Sequence, residues 1–194
     1  MKCTQCKDHA CDGKVVSDCA SKFTSQQKIK EAYLTEENFE FARNASLVSI
    51  VKETNKTRIE ELMDFAEMMH YTKLGLCFCI GLIDEAKIVE EIFEARGFQV
   101  VPVCCKTGGV GKELLEIENG GNAMCNPIGQ AEFLNQAGTD FNVVLGLCVG
   151  HDSLFFKYSK APATVLATKD KVLGHNPLAC IYNAKGYYNN TFFK

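Results

Sequence analysis

Four cysteines lie within the first nineteen residues of this 194-residue sequence. Their spacing is Cys-x2-Cys-x4-Cys-x7-Cys, and the residues between them are mostly polar. Thiolates are good ligands for zinc and iron, and four of them complete a tetrahedral site. A polar segment without a core would gain its order from such an ion, because the energy of ion binding becomes folding energy. The sequence therefore predicts an irregular, Cys-rich metal-binding loop over residues 1–23, with the ligands Cys3, Cys6, Cys11 and Cys19.

Two cofactors suit these four thiols. The spacing differs from the cysteine order of bacterial and plant-type ferredoxins and is close to that of compact zinc knuckles, which favours zinc. Four thiolates hold an iron–sulfur cluster equally well, so an iron–sulfur centre is the alternative.

A second group of cysteines lies at the predicted ends of strands. Cys105 follows one strand, Cys148 follows another, and Cys125 directly precedes a helix. In open parallel sheets, ligands bind beyond the carboxyl ends of the strands, so we expect these three thiols to converge on one rim. Cys125 and Cys148 also precede helix N-termini, where the helix dipole favours a thiolate.

Imidazole and carboxylate groups accompany this second group. Cys148, His151 and Asp152 fall within five residues, and His175 follows the fourth predicted strand. A Cys–His pair could activate a thiolate, and the same groups could hold a second metal. Asp152 could equally cap a helix, and His151 could be a surface residue. The candidate second site comprises Cys105, Cys125, Cys148, His151, Asp152 and His175.

The other cysteines have apolar neighbours and are interpreted as small buried hydrophobic residues. They are Cys77, Cys79, Cys104 and Cys180. The stretch Lys106–Glu113 resembles a phosphate-binding P-loop, but its first glycine and its hydroxyl residue are missing, so it supports no nucleotide site. A turn with two lysines could still hold a small anion.

The pattern of apolar residues predicts an α/β domain over residues 24–194. It is helical over residues 35–72, and strands alternate with helices over residues 73–182. The fold class is a three-layer, Rossmann-like parallel sheet of four to five strands. The predicted strands are residues 74–80, 99–104, 142–147 and 163–167, with a further edge strand over residues 178–182. Pro102 makes the second strand less suited to a central position.

Composition narrows the possible partners and the compartment. The net charge is −3, which gives no electrostatic reason to expect nucleic acid. No apolar run is long enough to cross a membrane, and the first residues lack the apolar stretch of a signal peptide. We therefore expect a cytoplasmic protein with mostly reduced thiols; the odd count of eleven cysteines agrees with this.

Three stretches are similar to a known family, DUF1847: Ala123–Ala131, Gly146–Phe155 and His175–Ala179. The resemblance extends over nearly the whole chain, and the four N-terminal cysteines match the cysteine cluster of that family. It implies a prokaryotic cytoplasmic protein, described as predicted metal-binding, with many relatives in anaerobes. The anaerobic relatives shift the choice of metal somewhat towards iron–sulfur. The resemblance implies no known reaction.

The sequence thus predicts a metal-binding protein with a structural N-terminal site on an α/β domain that binds a small-molecule ligand. The alternative is an iron–sulfur or thiol-based redox enzyme that uses Cys105, Cys125 and Cys148. A third hypothesis is an interaction module that docks a partner through the metal loop. Whether the protein is an enzyme is left open.

Overall fold

The computed structural model describes residues 3–5, 25–50, 56–118 and 123–193. The chain divides into two compact units between Thr54 and Asn55, and each is described by itself. Of the predicted metal ligands, Cys3 lies in a short 3₁₀ turn, Cys3–Gln5, and is exposed. Cys6, Cys11 and Cys19 lie outside the described residues, so the N-terminal metal site stays a prediction.

The described part of the first unit contains two helices, α1 (Gln26–Tyr33) and α2 (Glu36–Ile50). The Ser25 side chain caps α1 by accepting a hydrogen bond from the Lys28 N–H at 3.4 Å. The Thr35 hydroxyl accepts one from the Asn38 N–H at 3.4 Å and so caps the start of α2.

The second unit is built on a sheet of four parallel strands in the order β2-β1-β3-β4. This confirms the predicted α/β, Rossmann-like class. Pro102 lies in an edge strand, where its missing N–H leaves no partner unpaired. The strands are β1 (Lys73–Phe78), β2 (Gln99–Cys104), β3 (Phe141–Leu145) and β4 (Ala163–Ala167).

Helices flank the sheet. The β1-to-β2 connection runs in one direction across the sheet, and the later connections run in the other. Because such crossovers are right-handed, the helix after β1 covers one face and the helices after β2 and β3 cover the opposite face. The last two pack against each other. The four helices are α3 (Arg58–Met68), α4 (Ile83–Ala95), α5 (Pro127–Ala137) and α6 (His151–Tyr158).

Helix starts follow the capping residues in the sequence. Thr57 and Glu60 form a capping box at the start of α3. The Asn126 side chain accepts a hydrogen bond from the Gly129 N–H at 2.8 Å, and Pro127 occupies the first helical position of α5.

The prediction of a fifth strand over residues 178–182 is wrong. Leu178–Tyr182 is a short helix, α7, and a last turn, α8, covers Asn189–Phe192. Pro177, which has helical backbone angles, precedes α7 and fits the first turn of a helix. A run of five apolar residues is too short for periodicity to separate a strand from a helix. Leu178, Ile181 and Tyr182 are exposed rather than sheet-packed.

Close packing holds the centre of the sheet to α5. Gly75 in β1 faces Asn142 in β3, and a Cβ atom at Gly75 would lie 2.1 Å from Asn142 Oδ1 and 2.8 Å from Leu134 Cδ1. Only glycine fits there. Within the described parts of the chain, no helix combines the length and the apolar character needed to cross a membrane.

Candidate functional site

A cleft of about 530 Å³ opens at the carboxyl end of the sheet. It lies where β1 and β3 run side by side while their following connections leave in opposite directions, the position at which open α/β sheets bind ligands. Three thiols line it: Cys79 after β1, Cys125 before α5 and Cys148 after β3. The predicted convergence on this rim thus holds for Cys125 and Cys148, and Cys79 joins them.

Cys79 is the thiol with the most unusual surroundings. Its residue is only 7% exposed, and its Sγ atom accepts a hydrogen bond from Lys169 Nζ at 2.8 Å. Lys169 follows β4, ninety residues further along the chain. Gly81 lies against both groups, since a Cβ there would be 3.5 Å from Lys169 Nζ and 3.9 Å from Cys79 Sγ. An ammonium group is thus held against a largely buried sulfur.

These contacts favour the thiolate form of Cys79. Burial is the largest influence and raises the pKa, but the Lys169 ammonium, the Gly81 N–H and the Cys105 thiol together lower the pKa of Cys79 below its ordinary value. Cys79 also precedes the 3₁₀ turn Ile80–Leu82 and the thirteen-residue helix α4, whose N-terminal dipole favours negative charge.

Cys105 lies beneath the cleft rather than in its wall. It is 2% exposed, and its Sγ accepts a hydrogen bond from the Ile80 N–H at 3.4 Å. Burial raises the pKa of the Cys105 thiol to about 12, and the neighbouring Cys125 and Cys79 add to that effect. Cys105 is therefore a protonated thiol at neutral pH, in contact with two other thiols.

The backbone ties Cys125 to Cys105. The Asn126 N–H donates to the Cys105 carbonyl at 2.8 Å, and the Asn126 amide donates to the Thr107 carbonyl at 3.2 Å. Asn126 also caps α5, so the cap of this helix places Cys125 beside the end of β2. The Gly-rich turn after β2 therefore serves to position a thiol.

Cys148 is half-buried at the start of α6. Burial raises the pKa of its thiol, and the thiols of Cys79 and Cys125 raise it further. His151 and Asp152 do not line the cleft. Asp152 Oδ1 accepts hydrogen bonds from the Gly150 N–H at 3.1 Å and the Ser153 N–H at 2.8 Å, so it organises the start of α6.

His175 also lines the cleft, as its position after β4 predicts. It has a left-handed backbone conformation, with φ of 65°, and follows Gly174, with φ of 57°. Its Nδ1 lies 3.1 Å from both the Asp170 nitrogen and the Thr168 oxygen, so the tautomer decides which of them it binds. Either bond anchors the ring through Nδ1.

The cleft is positively charged. Lys106, Lys169 and Lys171 line it, and of the described residues in its wall none carries a carboxylate. The Lys106 ammonium donates to the Ala123 carbonyl at 2.6 Å, and Lys171 is exposed. Such a site attracts small anions, because several cations act together in a partly enclosed space.

The described residues include no group of three or more His, Cys, Asp or Glu side chains placed to hold a metal ion. A second metal site at the rim therefore stays a prediction. The eight described cysteines are all free thiols.

Sequence reasoning missed the role of Cys79. It is buried, as its apolar neighbours predict, but its sulfur contacts a lysine. Cys77 is fully buried and burial strongly raises the pKa of its thiol, which fits the structural interpretation. Cys104 and Cys180 are half-buried. The available indication for Cys79 was its position, one residue past the end of β1.

Comparison with known proteins gives two results. The profile of a family described as "Protein of unknown function (DUF1847)" matches residues 18–166. This segment contains Cys19, Cys79, Cys105, Cys125 and Cys148, whereas Cys3, Cys6, Cys11, Lys169 and His175 lie outside it.

A curated relative also matches. It is the uncharacterized protein MJ0455 of Methanocaldococcus jannaschii, which is 48% identical over 187 residues, a length that covers 94% of each chain. The profile match and this relative show that the chain belongs to the DUF1847 family of proteins of unknown function.

Proposed function

We propose that this protein carries out thiol chemistry on a small anionic molecule bound in the rim cleft, with Cys79 as the reacting thiolate. The observation that carries the proposal is the 2.8 Å contact between Lys169 Nζ and Cys79 Sγ at the base of a cationic cleft. A thiolate is the nucleophilic form of cysteine, and a neighbouring ammonium group stabilises it.

The position of the pair supports a reactive role over a purely structural one. Lys169 is half-buried, and burial of a charged group is costly unless the group is paired, so its contact with the buried sulfur is most favourable when the sulfur is negative. Cys79 lines an open cleft of substrate size, so a small molecule can reach the sulfur. Lys171 and Lys106 then supply charge for the anionic end of that molecule.

The described surroundings also include a group for proton transfer. His175 is anchored through Nδ1, and it lines the same cleft as Cys79. An imidazole held in this way can exchange a proton with a bound molecule or leaving group. Cys79, Lys169 and His175 are thus the nucleophile, its counterion and the candidate acid–base in this proposal.

Paired alkylating reagents test the proposal. Iodoacetate is anionic and iodoacetamide is neutral, so the ratio of their rates at Cys79 reports the local charge. We expect that ratio to exceed the value for N-acetylcysteine. It should fall about tenfold in Lys169→Met, because the loss of a charge interaction of about 1.4 kcal/mol changes a rate about tenfold. Mass spectrometry of the peptide over residues 74–87, with fragmentation between Cys77 and Cys79, identifies the labelled sulfur.

Lys160→Met is the matched control. Lys160 is exposed and precedes β4, at the opposite end of that strand from Lys169. Its replacement should leave the ratio unchanged. Equal ratios in the wild-type protein, Lys169→Met and N-acetylcysteine would contradict a thiolate in a cationic cleft.

We further propose that Cys3, Cys6, Cys11 and Cys19 bind one metal ion or cluster, with zinc favoured and iron–sulfur as the alternative. The spacing of the four cysteines supports this proposal. Metal analysis of protein purified without oxygen should give one zinc equivalent, or iron and sulfide with absorbance in the visible range. Cys6→Ser should lose the metal, and Cys148→Ser should keep it; metal-free wild-type protein would contradict the proposal.

A further inference from the structure

We propose that Cys79 and Cys105 form a redox pair that exchanges electrons with small anionic disulfides and thiols through a Cys79–Cys105 disulfide. This inference rests on the proposed function, because it uses Cys79 as the attacking thiolate, and it adds the second thiol and the substrate class.

The sheet register brings the two residues together. Phe78 in β1 pairs with Cys104 in β2, and the Cys105 N–H donates to the Phe78 carbonyl at 2.9 Å. Cys79 and Cys105 are thus the next residues on two neighbouring strands. Neighbouring strands lie about 4.8 Å apart, and disulfides span Cα separations of about 4.4–6.8 Å.

The Cys105 side chain is directed towards the Cys79 segment. Its Sγ accepts a hydrogen bond from the N–H of Ile80, the residue after Cys79, at 3.4 Å. The Cys105 thiol is also among the groups that lower the pKa of Cys79. The two residues are thus neighbours across the strands, which is the kind of separation that a disulfide needs.

The two thiols differ in exposure, which sets the order of events. Cys79 lines the cleft and contacts Lys169, whereas Cys105 lies beneath it, 2% exposed. A molecule in the cleft meets Cys79 first. Burial keeps the Cys105 thiol protonated.

The disulfide substrate is itself the oxidant, so the chemistry balances without a further reagent. The Cys79 thiolate attacks one sulfur of a disulfide R–S–S–R, which forms Cys79–S–S–R and releases R–S⁻. The Cys105 thiol passes its proton to the released R–S⁻ and attacks the Cys79 sulfur. The Cys79–Cys105 disulfide forms and the second R–S⁻ leaves and takes up a proton from water. Two electrons thus pass from the protein to the disulfide substrate. In the reverse direction, two R–SH thiols reduce the Cys79–Cys105 disulfide and restore the dithiol.

The cleft favours an anionic disulfide over a neutral one. Lys106, Lys169 and Lys171 line it, and its volume of about 530 Å³ exceeds the space of a water-sized oxidant many times over. Carboxylate-bearing thiols and their disulfides combine the reactive sulfur with the charge that these lysines attract.

Dithiobis(nitrobenzoate), an aromatic disulfide with two carboxylates, is a suitable probe. We would treat the wild-type protein with one equivalent, quench the reaction with acid and analyse tryptic peptides. Trypsin leaves Cys77 and Cys79 in residues 74–87 and Cys104 and Cys105 in residues 97–106. We expect a cross-link between these two peptides, with fragmentation assigning it to Cys79 and Cys105.

Two variants sharpen the result. In Cys105→Ser the cross-link should disappear and the nitrobenzoate should remain on Cys79 as a mixed disulfide. Cys104→Ser is the matched control from the same peptide and should keep the cross-link. Dithiodipyridine is a neutral disulfide. For each probe, the rate at Cys79 is divided by the rate with N-acetylcysteine, and this ratio should be smaller for dithiodipyridine than for the anionic probe.

The outcomes separate this inference from the proposed function. A stable mixed disulfide on Cys79 in the wild-type protein, or a bond from Cys79 to Cys125 or Cys148, overturns the redox pair and leaves a reactive Cys79. An unmodified Cys79 while other cysteines react overturns both. The wild-type cross-link alone is decisive if either variant fails to fold.

Discussion

The two ends of the sheet are built differently. At the amino end, polar side chains form closed sets of hydrogen bonds. At the carboxyl end, thiols and lysines face an open cleft, and the buried Gln130 Oε1 is without a partner among the described residues. The contrast indicates that one end stabilises the fold while the other retains groups free to react.

The amino end illustrates the stabilising arrangement. Asp140 Oδ2 accepts hydrogen bonds from the N–H groups of Thr72 and Lys73, each at 2.8 Å. The fully buried Asn142 accepts from the Thr139 hydroxyl at 2.8 Å and donates to the Ser159 hydroxyl at 2.9 Å. These contacts join β1, β3 and the segment before β4. The hydrogen bonds offset the free-energy cost of burying these polar atoms.

The carboxyl end has features that cost stability. His175 and Gly174 have left-handed conformations, and Cys79 and Lys169 form a partly buried charged contact. Functional sites commonly contain such strained and imperfectly paired groups. The amino end supplies the stability that this arrangement lacks, and changes at the two ends should separate accordingly.

The largest expected effect is on folding. Asn142→Ala removes the two hydrogen bonds to the Thr139 and Ser159 hydroxyls and leaves a cavity at a fully buried position, which should lower the free energy of unfolding by about 2–4 kcal/mol. Urea denaturation measures this. The rate of Cys79 alkylation in the folded protein should not change; Gln136→Ala, at an exposed position of α5, is the control of little expected effect.

Lys169→Met should act on reactivity instead. Removing the ammonium group from Cys79 should slow its alkylation by iodoacetamide about tenfold near neutral pH, because a smaller fraction of the thiol is ionised. The unfolding free energy should stay within about 1 kcal/mol. Lys169→Arg keeps the charge and should retain most of the rate; a rate equal to that of Lys169→Met would indicate that charge is not the cause.

Asp140→Asn should weaken the amino end by about 1 kcal/mol at pH 7, because a neutral amide accepts the backbone N–H groups less strongly than a carboxylate. Burial raises the pKa of Asp140, but the Lys73 and Thr72 hydrogen bonds outweigh it, so the folded pKa is lowered. That stabilisation is present above the unfolded pKa of about 3.9 and is lost as the pH falls through the folded pKa. The difference in unfolding free energy between the wild-type protein and Asp140→Asn should therefore shrink in acid. Urea denaturation at pH 7 and at acidic pH measures this.

The smallest effect concerns Asp152. Because its carboxylate accepts from backbone N–H groups at the start of α6, Asp152→Ala should cost about 0.5–1 kcal/mol of stability. Labelling of Cys79 should be unaffected. A large loss of Cys79 reactivity with unchanged stability would instead place Asp152 in the reactive site.

Sequence reasoning identified the rim but not the thiol that contacts Lys169. Parallel strands must place their carboxyl ends together, so Cys125, Cys148 and His175 could be assigned to one edge from their positions alone. Cys79 has apolar neighbours, and its partner Lys169 is ninety residues away. Local pattern contains no information on a contact of that range.

The same limit explains the other differences. Residues 178–182 have the apolar character of a strand, but five residues do not establish a period, and Pro177 begins a helix there. His151 and Asp152 adjoin Cys148 in sequence, yet the turn at Gly150, with φ of 82°, leads them away from the cleft wall. Proximity in sequence identified the segment and not the direction of its side chains.

The most direct test of the thiolate at Cys79 is the pH dependence of its alkylation. The titratable groups around it are Lys106, Lys169, Lys171, His175, Cys105, Cys125 and Cys148. Iodoacetamide labelling, resolved to the individual sulfur by mass spectrometry, should give Cys79 a midpoint below that of N-acetylcysteine, shifted upward in Lys169→Met. A wild-type midpoint at or above that of N-acetylcysteine, unchanged in Lys169→Met, would contradict the account.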